Sequence, residues 1–160
     1  MSIVLFRIDD RLIHGQVVEG WLNQLQAQGV LVVNNIVAKD EMQKTLIAMA
    51  IPPSVEVFIE TVEEALKRWK QGEFDNKRLL ILVSCPKDAF LLIDNGINVP
   101  SVNVGGMHYS EGKMQIFEYI SVSHEDVNYF YLLAYMGIKI EGRTLPDTEK
   151  LDITRELKKI

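Results

Sequence analysis

Short apolar runs alternate along this chain with segments whose apolar residues recur every three or four positions, the signature of strands interleaved with helices. Strands are predicted at residues 3–6, 30–33, 55–59, 79–83, 102–104 and 138–140. The run at 79–83 is apolar throughout, as in a strand covered on both faces. Val18, Trp21, Leu22 and Leu25 fall at helical spacing, and Gly29 is predicted to stop that helix. Asp40 caps a helix running to Ala50, ahead of Pro52 and Pro53. Thr61 with Glu64 makes a capping box for a helix carrying Leu66 and Trp69 and stopped at Gly72. Further helices are predicted from the turn at 84–88 to Asn95 and Gly96, from Ser123 to Gly137, and at the polar C-terminus.

Such alternation implies an α/β fold: one three-layer domain over residues 1–160, with a mostly parallel open sheet of about seven strands and helices on both faces. Ligands of these folds gather beyond the carboxyl ends of strands, where the strand order reverses. The turn at 9–15, the turn after Val83 and the loop after Val104 are expected on that edge.

Composition narrows the partners. A chain of 160 residues is long enough to bury a real core. Its 17 Lys and Arg against 22 Asp and Glu give a net charge of -5, which disfavours nucleic acid and anionic lipid as ligands. Cys85 is alone, so no disulfide framework forms within the chain; this suits a reducing cytoplasm, and the thiol reads as an apolar filler. No basic segment or cleavage site precedes the first strand, so no secretory signal is expected. The longest uncharged stretch, 20–38, approaches the length of a membrane span. It fails as one, because Asn23, Gln24, Gln26, Gln28, Asn34 and Asn35 would strand their amides in lipid. Work at a membrane would therefore mean docking on other subunits.

Reactive groups concentrate between the first strand and the first helix, where Arg7, Asp9, Asp10, Arg11 and His14 lie within eight residues. A helix start there offers unpaired amides and the positive end of a dipole, which favour an anion. The plain reading of His14 is a helix-start residue bonded to a carboxylate. The functional reading is a nucleophile, since a neutral imidazole attacks phosphorus through one nitrogen and leaves again readily. Arg11 supplies a planar fork for phosphoryl oxygens, Asp9 or Asp10 holds the other ring nitrogen, and Gly15 lets the backbone approach phosphate. Leu12, Ile13 and Val17 are candidates for an apolar rim, though the first two fit equally well below it. His108 sits in a glycine loop, and His124 at a helix start reads as solvated. The aromatic residues Tyr129, Phe130, Tyr131 and Tyr135 read as a packing face.

Residues 7–17, Arg-Ile-Asp-Asp-Arg-Leu-Ile-His-Gly-Gln-Val, resemble the signature of the IIB components of the mannose/fructose/sorbose family of the bacterial phosphoenolpyruvate-dependent sugar phosphotransferase system (PTS). The stretch Ser101-Val102-Asn103-Val104-Gly105-Gly106-Met107, followed by Gly112-Lys113, is similar to the family's later loop, and the likeness runs to the Leu-Lys-Lys-Ile end. The resemblance implies that His14 carries a phosphoryl group on Nδ1, taken from a phosphorylated IIA component and passed to a sugar held by membrane-embedded IIC and IID components. It implies a protein-Nπ-phosphohistidine sugar phosphotransferase in the cytoplasm, held to the inner face of the membrane through the permease subunits. Arg7, Asp9, Asp10, Arg11, Gly15 and Gln16 are expected to bind or orient the phosphoryl group, with Ser84, Asn103, Gly105, Gly106 and His108 at the rim. No metal or cofactor is called for, because protein cations can neutralise the transferring charge. The sugar and any homo-oligomer are left open.

Two other readings stand beside this one. His14-Gly15 faintly resembles the His-x-Gly-His phosphate site of nucleotidyltransferases, but the second His is missing. A regulatory or assembly module would use the same surface only to bind a partner.

Overall fold

The computed structural model describes residues 2–160. Strands β1 (Ser2–Asp9), β2 (Gly29–Val33), β3 (Glu56–Glu60), β4 (Arg78–Val83) and β5 (Ser101–Gly106) are followed by β6 (Met114–Phe117), β7 (Ile120–Val122), β8 (Lys139–Gly142) and β9 (Leu151–Asp152). Helix α1 is a π-helical stretch, Gln16–Leu22, running into an α-helical turn, Asn23–Leu25. The others are α2 (Glu41–Ala50), α3 (Val62–Lys70), α4 (Pro86–Asp94), α5 (His124–Tyr135) and α6 (Ile153–Leu157).

Seven strands form one sheet in the order β3-β2-β4-β1-β5-β8-β9, parallel except for the β8–β9 pair. Alternation along the strands divides the core. Leu31, Val33, Leu79, Ile81 and Val83 pack on one face with Ala65, Ala89, Leu92, Phe130 and Leu133, the side of α3, α4 and α5. Val30, Val32, Leu80 and Leu82 pack on the other with Val17, Trp21, Leu22 and Ile51, the side of α1 and α2. Both faces of β4 are therefore covered, which is why its sequence is apolar without interruption. Strand β1 lies centrally between β4 and β5, where the chain winds outward in both directions, and its carboxyl end opens the crevice expected of this topology.

Several boundaries depart from expectation. The first helix ends before Gly29, with Gln26 in the left-handed conformation (φ 51°) at its cap. Gly29 instead begins β2, where a Cβ would press on Leu79. Gly105 and Gly106 are strand residues, not a loop. The β6–β7 hairpin had no counterpart in the predicted elements. In α1 the buried residues Val17, Trp21 and Leu22 follow a spacing of four and five, the wider stagger of a π turn. Helix α2 is capped by Asp40, whose carboxylate accepts from the Met42 and Gln43 amides, yet none of its residues is fully buried. Met42, Leu46 and Met49 face solvent, as does Ile36.

Candidate active site

Arg7 and Asp9 both point from β1 to the same side of the sheet, as strand alternation requires. The Arg7 guanidinium is fully buried. Its Nη1 donates to Asn103 Oδ1 (2.6 Å) and to the Arg143 carbonyl (2.9 Å), and its Nη2 donates to Asp9 Oδ2 and the Thr144 carbonyl, both at 3.2 Å. Trp21 lies 5.3 Å from the guanidinium carbon and gives its indole N–H to the same Thr144 carbonyl. Asn103, expected at the rim, is thus a buried ligand beneath it. Gly105 carries no side chain because the Arg7 guanidinium fills the space where a Cβ would project. Burial pulls the Arg7 pKa below its usual value against the pull of Asp9.

Asp9 is the hub. It is fully buried, and its carboxylate also accepts from the Arg11 amide (3.1 Å), Arg11 Nε (3.2 Å) and Arg11 Nη2 (3.3 Å). His14 Nε2 lies 2.7 Å from Asp9 Oδ2. An ionised carboxylate only accepts, so Nε2 carries the proton, and in the neutral ring the lone pair is on Nδ1. Burial opposes ionisation of Asp9, but hydrogen bonds from His14 and Arg11 and the charge of Arg7 hold its carboxyl below the ordinary carboxylate range. A carboxyl with a lowered folded pKa stabilises the fold fully above its unfolded pKa, and that stability is lost as pH falls through the folded value. Unfolding midpoints measured from about pH 6 to about pH 3 are therefore expected to fall, and to fall less steeply in Asp9→Asn. Parallel slopes in the two proteins would contradict the geometry around Asp9.

Sequence left open which Asp orients His14. Asp9 does so; Asp10 turns outward and holds His108 instead, accepting from its amide at 2.6 Å and lying 2.7 Å from its Nδ1. The Asp10 amide donates to the Gly106 carbonyl, tying the loop to β5. Arg11 is spread over Asp9 and Gln16 Oε1 (3.2 Å), its side chain 38% accessible. Gly106 lies under Arg11, where a Cβ would come within 3.3 Å of Nη2. Gly15 has open space at its Cβ position. The helix-start amides are less available than expected, since those of Val17 and Val18 donate to the His14 carbonyl. Leu12 and Val17 are buried and form no rim; Ile13 is half-buried. Ser84 accepts from Asn34, which lines a hollow with Asp10, Arg11 and Leu12, so it stands one residue back from the loop. His124 is exposed at the start of α5. Cys85 is half-buried, its thiol pushed up to about 11 chiefly by burial, and takes no part in the site.

Sequence reasoning missed Trp21, Asn34 and the carbonyls of Arg143 and Thr144. Trp21 was read only as a packing residue, and carbonyls leave no mark in a sequence.

The result is an α/β domain that presents, at the end of its central strand, a carboxylate-held imidazole beside a guanidinium in a crevice. The chain belongs to the PTS system sorbose subfamily IIB component family, whose model matches residues 3–160. It is 35% identical over 160 residues to the PTS system fructose-specific EIIB component of Bacillus subtilis (strain 168), covering 100% of this chain and 98% of that protein. It is also 35% identical to the PTS system mannose-specific EIIAB component of Escherichia coli (strain K12), of which it spans 50%. Among solved structures, the IIBSor domain of the sorbose permease from Klebsiella pneumoniae superposes with a TM-score of 0.94 at 30% identity, covering 99% of this chain and 98% of that one.

Proposed function

We infer that this IIB component is a phosphoryl carrier in which His14 Nδ1 accepts a phosphoryl group from a phosphorylated IIA component and passes it to a sugar held by the membrane IIC and IID components. The reading rests above all on the 2.7 Å contact between His14 Nε2 and Asp9, the carboxylate that also holds Arg11, which turns Nδ1 outward as the nucleophilic nitrogen. The ring is 16% accessible and its orienting carboxylate is buried, as suits a nucleophile that must be fixed yet reachable. Arg11 reaches the phosphoryl oxygens by exchanging part of its bonding to Asp9 and Gln16, while Arg7 keeps Asp9 ionised. Arg7 and Arg11 both bond Asp9 and offset its charge beside the ring, while Asp10 turns away to His108.

The family likeness and the exposed Leu46 of α2, which lines a hollow with Asp10, Arg11 and Leu12, support a site visited by protein partners. Among the described residues no helix is long and apolar enough to cross a membrane, so in this reading the chain meets the membrane through its partners. Incubation with a phosphorylated IIA component is expected to place on His14 a phosphate that is acid-labile and base-stable. Label at another residue, or none, would overturn the assignment.

A further inference from the structure

Transfer from His14 to a hydroxyl poses a proton problem. In-line displacement puts the attacking oxygen and the leaving nitrogen on opposite sides of phosphorus. The hydroxyl proton is therefore released on the side away from His14, and a separate base must take it there.

One imidazole is arranged for this. Asp10 grips His108 through both the backbone amide (2.6 Å) and Nδ1 (2.7 Å), so Nδ1 carries the proton, and in the neutral ring the lone pair is on Nε2. That nitrogen has no protein partner among the described residues, and the side chain is 67% accessible. Consecutive carboxylates thus hold two imidazoles in opposite tautomers, Asp9 freeing Nδ1 of His14 and Asp10 freeing Nε2 of His108. His108 and Arg11 line the same cleft of about 600 Å³, with Gln16, Tyr109, Glu118 and Tyr119, a wall of donors, acceptors and aromatic faces suited to a hydroxyl-rich ligand.

We propose that His108 is the general base of the second half-reaction, the transfer from phosphorylated His14 to the sugar. The proposal rests on the carrier role of His14. As the hydroxyl oxygen bonds to phosphorus, the P–N bond breaks and its electron pair returns to His14 Nδ1. The hydroxyl proton passes to Nε2 of His108, and Asp10 stabilises the imidazolium formed. Glu118, in the same cleft, is the competing base, but among the described residues no side chain or amide bonds its carboxylate.

The two half-reactions separate the roles. The protein is loaded by a phosphorylated IIA component, then chased with sugar in membranes carrying the IIC and IID components. In His108→Asn, loading of His14 is expected within about twofold of normal while the chase slows by at least tenfold, on the order of 10² if general-base catalysis is wholly lost, with the KM for sugar unchanged. In Glu118→Gln the chase is expected to slow less than in His108→Asn. A normal chase in His108→Asn overturns the proposal, as does equal slowing of both steps, which would mark His108 as a docking residue, or a slow chase in Glu118→Gln alone. Failure of the unaltered protein to load His14 would overturn the carrier role and this proposal together; normal loading and normal chase in His108→Asn would overturn this one only.

Discussion

Replacing His14 with Ala is expected to lower sugar phosphorylation by at least about 10⁴-fold while leaving the fold intact. In the proposed role the ring has no substitute on the Asp9 carboxylate, since Arg11 and Arg7 are cations and Asp9 is sealed between them. The structural cost is small. Asp9 loses one partner but keeps its bonds from both arginines, so stability falls by about 1 kcal/mol. Sugar phosphate formed in membranes with the partner components, measured beside thermal unfolding, checks both halves. Residual transfer near the normal rate would move the phosphorylation site elsewhere; a collapse of the fold would mean that the ring is structural first.

The second large effect is on stability. In Gly105→Ala the new methyl group would occupy the volume of the Arg7 guanidinium. Asn103, Asp9 and two carbonyls bond both terminal nitrogens of Arg7, and displacing it leaves a buried carboxylate without its buried cation. Breaking a buried pair costs about 3–5 kcal/mol, which for a domain of this size lowers the unfolding midpoint by roughly 10 °C. Gly106→Ala is the internal comparison, since its Cβ would meet Arg11 and Asp9 only at 3.3 Å and the half-exposed Arg11 can shift. Equal midpoints for the two variants in calorimetry would contradict the packing of Arg7 against β5.

Much of the fold was legible because its signals are local. The unbroken apolar run of β4 reports burial on both faces, and Asp40 and Ser123 announce their helices through side chains that bond the first free amides. The β6–β7 hairpin was not legible, since strands of four and three residues joined by Glu118 and Tyr119 carry neither a sustained alternation nor a glycine turn. Glycines misled for a related reason. Gly29, Gly105 and Gly106 look like punctuation in sequence, yet they sit in strands because a side chain elsewhere needs the room. At the site, the density of charge between Arg7 and His14 marked the place, but the predicted strand stopped at Phe6, so the side of β1 that Arg7 and Asp9 share was not read. Which carboxylate takes which imidazole was hidden, because it depends on His108, 98 residues from Asp10.

Leu12 holds the loop in a way that bears on how the protein works. It adopts the left-handed conformation at φ 57° while its side chain is 6% accessible, packed with Val17, Trp21 and Leu82 under the loop. Lifting the loop would drag that leucine into water at a cost of about 2 kcal/mol. In the proposed carrier role the imidazole would then be a fixed berth rather than a swinging arm, and donor and acceptor would take turns at it.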